Sequence, residues 1–260
     1  MVRFIAVAFV VLFLVACAKG TPENPIFPAG ASVTPLQQPA YVGIGRYYKL
    51  AETTAAQSFG GVSFVSFIEV QQNPDATVIQ GDASGFLYAL KGPHNVYWDD
   101  GEHKQAWAEG GAGWVNPGVS HVNLTQSMTT WYLVTFRPVA QRASTPLLSG
   151  GRTLYASPDL PAAPPGKQLV HQLGIIAMDP GGRTSAHSHS GAEVFYVMQG
   201  TVELAVNNGT RTKLTAGQGA AIRPGLVMQL NVLGGDAVQI LTYFATPEGE
   251  PWQTNLQTLP

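Results

Sequence analysis

Three residues carry the most specific chemistry in this sequence: His187, His189 and Glu193, within the stretch from Gly181 to Gly200 (GGRTSAHSHSGAEVFYVMQG). Side chains two apart on a strand share a face, so His187 and His189 offer adjacent imidazoles. Ser190-Gly191-Ala192 interrupts the strand and lets the chain turn before Glu193, which opens the next alternating segment. Two imidazoles and one carboxylate are the facial donor set for a first-row divalent cation, with coordination positions left for water, substrate or dioxygen. A cation held so is a Lewis acid, an oxygen-activating centre or an anchor for ligand oxygens. The alternative is a hydrogen-bonded polar cluster without metal, which must pair all three groups because burying them unpaired is costly.

The elements around this stretch are short apolar or alternating segments, at 62–70, 85–90, 130–136, 173–178, 194–198, 201–206 and 237–244, rich in Val, Ile, Phe, Tyr and Thr. Gly, Pro, Asn and Asp separate them and no long helical periodicity appears, which predicts an all-β chain. Asn207-Asn208-Gly209 is the chemistry of a hairpin turn. The halves repeat each other: FLYALKG at 86–92 parallels VFYVMQG at 194–200, and GAGWVNPGVSH at 111–121 parallels QGAAIRPGLVM at 218–228. A duplicated β-domain follows, with a Pro/Gly/Ser-rich connector between the copies.

The spacing G-x5-H-x-H-x3-E-x6-G from Gly181 to Gly200 resembles the first motif of the cupin superfamily, and 217–232 resembles the second. The resemblance spans both halves and implies a bicupin: two tandem cupin-type barrels of the double-stranded β-helix or jelly-roll kind. It implies His187, His189 and Glu193 as ligands of a divalent transition metal (Fe, Mn, Zn, Ni or Cu). The family's second motif adds a histidine ligand where this chain has Met228. Three readings stay open there: Met228 as a cavity wall beside a three-ligand site, Gln229 turned inward as an oxygen donor, or sulfur ligation, which suits copper(I) best. Phe195, Arg183 and His171 are expected around the pocket, Arg183 as a greeter of anionic substrates or a solvated turn residue, His171 as a core or rim histidine. In the first half His121 fills the fourth-ligand slot, but Ile79, Gly81 and Gly85 parallel the other three ligands. That barrel is therefore expected to be metal-free. His94 and His103 lie in polar, turn-rich surroundings and are expected to be exposed.

Composition bounds the partners. The 260 residues hold 14 Lys+Arg against 16 Asp+Glu with no basic run, so nothing matches a phosphate backbone and nucleic acid is excluded as a partner. One cysteine rules out a disulfide framework and cysteine-rich metal sites. That cysteine, Cys17, follows a basic start and an apolar run, and Leu14-Val15-Ala16-Cys17 resembles the lipobox of bacterial lipoproteins. The expected layout is a signal peptide over 1–16, a lipidated tether over 17–40, an N-terminal barrel over 41–140, a linker over 141–166, a C-terminal barrel over 167–247 and a tail over 248–260, with Trp252 docked on the barrel. The expected protein is an extracytoplasmic lipoprotein anchored in a bacterial membrane through Cys17, acting as an oxygenase or as an isomerase or hydrolase on a small oxygen-rich molecule. The competing expectation is a non-catalytic receptor for a small molecule or the metal. A homodimer is compatible with either.

Overall fold

In a computed structural model the described residues are 35–36, 45–55, 61–81, 83–98, 104–143, 148, 150–256 and 259. The leader, Cys17, most of the tether and His103 lie outside them. Among the described residues no helix is long and apolar enough to cross a bilayer.

The chain is all-β, as its alternating segments require. Strands β1 (Pro35–Leu36) and β2 (Arg46–Ala55) precede a first block of eight: β3 (Ser63–Gln72), β4 (Thr77–Ile79), β5 (Gly85–Lys91), β6 (His94–Tyr97), β7 (Lys104–Trp107), β8 (Ala112–Val115), β9 (Ser120–Val122) and β10 (Thr129–Pro138). A 3-10 turn and β11 (Gly151–Ala156) lead to a second block of eight: β12 (Leu169–Met178), β13 (Ala186–Ser188), β14 (Ala192–Gln199), β15 (Thr201–Val206), β16 (Arg211–Thr215), β17 (Gly219–Ile222), β18 (Met228–Val232) and β19 (Val238–Pro247). The tail adds β20 (Thr254–Leu256).

The blocks fold alike. The sheet β3-β10-β5-β8 of the first repeats as β12-β19-β14-β17 in the second, and β4-β9-β6-β7 repeats as β13-β18-β15-β16. Each pair of sheets closes around its own apolar core, one built on Trp131, Leu87 and Val96, the other on Phe195, Met228 and Leu230. The outer faces of the two large sheets pack together through Phe67, Phe86, Tyr132, Tyr196 and Tyr243. Strands such as β10 and β14 are thus buried on both faces, which explains their continuous apolar runs.

One feature departs from a simple division into halves. β2, which precedes the first block, pairs with β12 of the second barrel, and β11, which precedes the second block, pairs with β3 of the first. Residues 46–55, expected in the N-terminal barrel, extend the C-terminal sheet, and part of the expected linker is strand. Tyr47 of β2 lies flat over Gly174, where an added Cβ would sit 2.2 Å from the ring, so a side chain at 174 would displace it.

Candidate metal centre

Local structure explains how the three ligands meet. His187 sits in β13 between Met228 of β18 and Asn255 of β20. His189 follows one residue past the strand. The chain then crosses β19 so closely that a Cβ on Gly191 would lie 1.9 Å from the Ala245 carbonyl oxygen, so only glycine passes. That crossing delivers Glu193 into β14 opposite Phe244 and Ile222, with its side chain facing the barrel interior. One ligand atom from each of His187, His189 and Glu193 falls within 4.8 Å of the others, and all three residues are buried.

Each side chain is fixed from behind. His187 Nδ1 donates to the Ser185 carbonyl (2.7 Å) and His189 Nδ1 to the Trp252 carbonyl (2.6 Å), which leaves Nε2 of each ring for the interior. Glu193 Oε1 accepts from the Thr242 hydroxyl at 2.9 Å. Its Oε2 lies 3.4 Å from His189 Nε2, yet neither atom has a hydrogen-bond partner. Burial alone would push the Glu193 carboxyl up, but His189, His187 and the Thr242 hydroxyl outweigh it and hold the carboxyl below its usual range. Burial, then His189, push the His187 imidazole down despite Glu193 and the Ser185 carbonyl. A cation between His189 Nε2 and Glu193 Oε2 would partner both atoms. The donor chemistry fits a divalent metal.

The space beside the ligands is small and closed, about 10 Å³, with Tyr47, Ile176, Thr184, Phe244, Trp252 and Gln253 around it. Trp252 packs on Tyr47 and Phe244 at ring-centroid distances of 4.9 and 5.1 Å, and β20 continues the sheet along β13. Trp252 and β20 thus form a strap beside the ligands.

The structure sorts the remaining expected site residues. Met228 stands opposite His187, fully buried in the barrel core, and does not line the cavity. Gln229 does not turn inward: strand alternation puts it on the other face, where its Nε2 donates to the Thr184 carbonyl. Phe195 shares the inward face with Glu193 but lies in the apolar core, not on the cavity. Arg183 is exposed, its backbone bridging Asn231, and is no part of the cavity. His171 faces the other side of β12, bonded to the Tyr243 hydroxyl among the aromatics between the barrels.

In the first barrel the register equates His187 with Val78, not Ile79, because Val78 is the residue opposite His121. Ile79 points outward and is 63% exposed. The next inward residue is Gln80, not Gly81, and its Oε1 lies 3.3 Å from His121 Nε2. His94, expected at the surface, is fully buried, with Nε2 2.8 Å from His121 Nδ1 and Trp131 against both rings. Gly85 does correspond to Glu193, since both pair with the matching strand at Val115 and Ile222. That barrel assembles no cluster of three His, Cys, Asp or Glu among the described residues.

Tyr47, Thr242, Phe244 and the Trp252 carbonyl were not foreseen at the site. Thr242 alone left a sequence signal: a polar residue inside the apolar run 238–245 at the parity of the inward face.

Residues 174–244 match the model of the cupin domain. Comparison with curated proteins gives no match. Among solved structures, the chain is similar to Lactobacillus farciminis oxalate decarboxylase in a formate complex, at 14% identity and TM-score 0.53, covering 91% of this chain and 90% of that one. It is also similar to Bacillus subtilis oxalate decarboxylase, described for its Mn(II) centres, at 14% identity and TM-score 0.52, covering 91% and 80%. A variant of the Bacillus enzyme gives 13% identity and TM-score 0.54 with the same coverage. At these identities the likeness is one of fold: a tandem pair of cupin-type barrels.

Proposed function

We propose that the C-terminal barrel is a divalent-metal centre held by His187, His189 and Glu193, and that the protein uses it on a small oxygen-rich molecule. The observation that carries this reading is the pair of buried, partnerless acceptors, His189 Nε2 and Glu193 Oε2, aimed at one point from fixed side chains. A bound metal would supply Lewis-acid or oxygen-activating chemistry. The chain's own residues do the rest. Ser185 and Trp252 hold the imidazoles in the ligating tautomer, Thr242 orients the carboxylate, and Tyr47, Phe244 and Trp252 exclude bulk water. The Mn(II) centres of the similar Bacillus protein make manganese the first metal to test and oxalate the first substrate.

A second reading, a non-catalytic metal-holding protein, draws support from the closed cavity of about 10 Å³, which admits little beyond one water unless the strap moves. The lipobox-like Leu14-Val15-Ala16-Cys17 supports an extracytoplasmic, membrane-anchored location, tested by loss of acyl labelling in Cys17→Ser.

Metal analysis of the gently purified protein beside His187→Ala/His189→Ala tests the centre. The wild type should carry about one equivalent and the variant none. A wild type that neither carries nor takes up Mn, Fe, Zn, Ni or Cu refutes it. With metal present, gas exchange (oxygen uptake, carbon dioxide release) on oxalate, diols and keto-enols separates enzyme from receptor, which would show thermal shifts without turnover.

A further inference from the structure

A second cavity, of about 350 Å³, lies between the barrels and takes no part in the metal centre. One wall is Ser63 and Phe136 of the first barrel, another is the connector segment 160–164 (LPAAP), and the C-terminal barrel closes it with Leu169, Arg223 and Pro247. The lining is mainly apolar, and Pro161 and Pro164 bring no N–H to it. Its volume is in the range of small-molecule sites, about 300–1,000 Å³.

Three polar residues, Ser63, Ser190 and Arg223, break the apolar lining. Ser63 is 1% exposed and its hydroxyl has no hydrogen-bond partner, although its backbone is paired in both directions with Leu160. Arg223 lines the same cavity from an exposed position, and among the described residues no side chain pairs with its guanidinium. An apolar hollow with one positive charge in its lining matches a ligand with an apolar body and a single anionic group.

We propose that this inter-barrel cavity binds a small amphipathic monocarboxylate, its apolar body between Phe136 and the connector and its carboxylate at Arg223. The proposal does not depend on the metal reading.

Calorimetric titration of the full-length protein with octanoate and its neutral analogue octanamide tests it. Octanoate should bind saturably and at least about tenfold more tightly than octanamide, the scale of one charge-assisted contact. Arg223→Gln should remove that preference by weakening octanoate alone. Ala162→Trp, a substitution on the exposed rim, should abolish binding of both ligands. His187→Ala should bind octanoate as the wild type does, so that failure here and failure of the metal centre are told apart. Absence of saturable binding, equal affinity for the two ligands, or unchanged binding in Ala162→Trp would overturn the proposal.

Discussion

Replacing the buried histidine pair of the N-terminal barrel with the residues that occupy the same places in the other barrel should remove much of the fold's acid sensitivity. The registers equate His121 with Met228 and His94 with Leu204, so His94→Leu/His121→Met installs a pairing the architecture already holds. Burial, and secondarily His121, push the His94 imidazole down to about 2; burial pushes His121 down to about 3. In the unfolded chain both return to about 6.5. The folded values lie below the unfolded one, so the unfolded chain takes up protons first. The stability tied to these groups is complete above about pH 6.5 and is lost as pH falls toward the folded values. At about pH 4.5, roughly two units below the unfolded value, each histidine has cost about 2.7 kcal/mol, and the pair about 5 kcal/mol. Whole domains are stable by only about 5–15 kcal/mol, so the effect is large. Urea unfolding of both proteins at about pH 7.5, 5.5 and 4.5 reads the slope, whatever the variant's stability at neutral pH. The wild type should lose about 5 kcal/mol more than the variant across that range. His171, pushed down to about 4 by burial, should leave a smaller residual slope in the variant. Parallel loss in the two proteins would refute the claim that the pair is neutral in the native state.

Two substitutions test the geometry around the metal centre. Gly191→Ala forces a Cβ to within 1.9 Å of the Ala245 carbonyl and should destabilise by about 3 kcal/mol or more in urea unfolding, with loss of metal uptake because His189 and Glu193 flank the crossing. Tyr47→Phe removes a buried hydroxyl that has no partner, so the melting temperature should hold or rise, by up to about 1 kcal/mol of added stability, and a loss above that size would mean the hydroxyl is satisfied in solution.

How far the sequence could be read depended on which physical rule fixed each feature. The ligand set was legible because period-two alternation alone puts His187 and His189 on one face. The duplication was legible because glycines and aromatic runs recur at matching intervals. Strand exchange was not, since the neighbours of β2 and β11 in sequence are not their partners in space, and the pairing is fixed only when the large sheets meet. The degenerate barrel shows how narrow the margin is. A slip of one residue exchanges Ile79 and Gly81 for Val78 and Gln80, and every side chain changes face. His94 looked exposed because Gly92-Pro93 and Asn95 surround it in sequence, while strand pairing points it inward. Backbone partners such as the Trp252 carbonyl carry no side-chain signature at all.

The two barrels keep complementary parts of one ligand set, and what separates them is satisfaction rather than ligand count. In the first, Gln80 Nε2 donates to the Ala83 carbonyl, His121 Nε2 donates to Gln80 Oε1, and His94 Nε2 donates to His121 Nδ1, a chain that consumes nearly every polar atom and leaves only His94 Nδ1 over. Neutral imidazoles stacked on Trp131 and bonded to one another need no cation. In the second barrel the outward nitrogens are tied to carbonyls, so the inward acceptors are left opposing a carboxylate held in its charged form. A core tolerates the first arrangement as packing. The second leaves His189 Nε2 and Glu193 Oε2 without a partner, which is why we propose the metal for the C-terminal barrel.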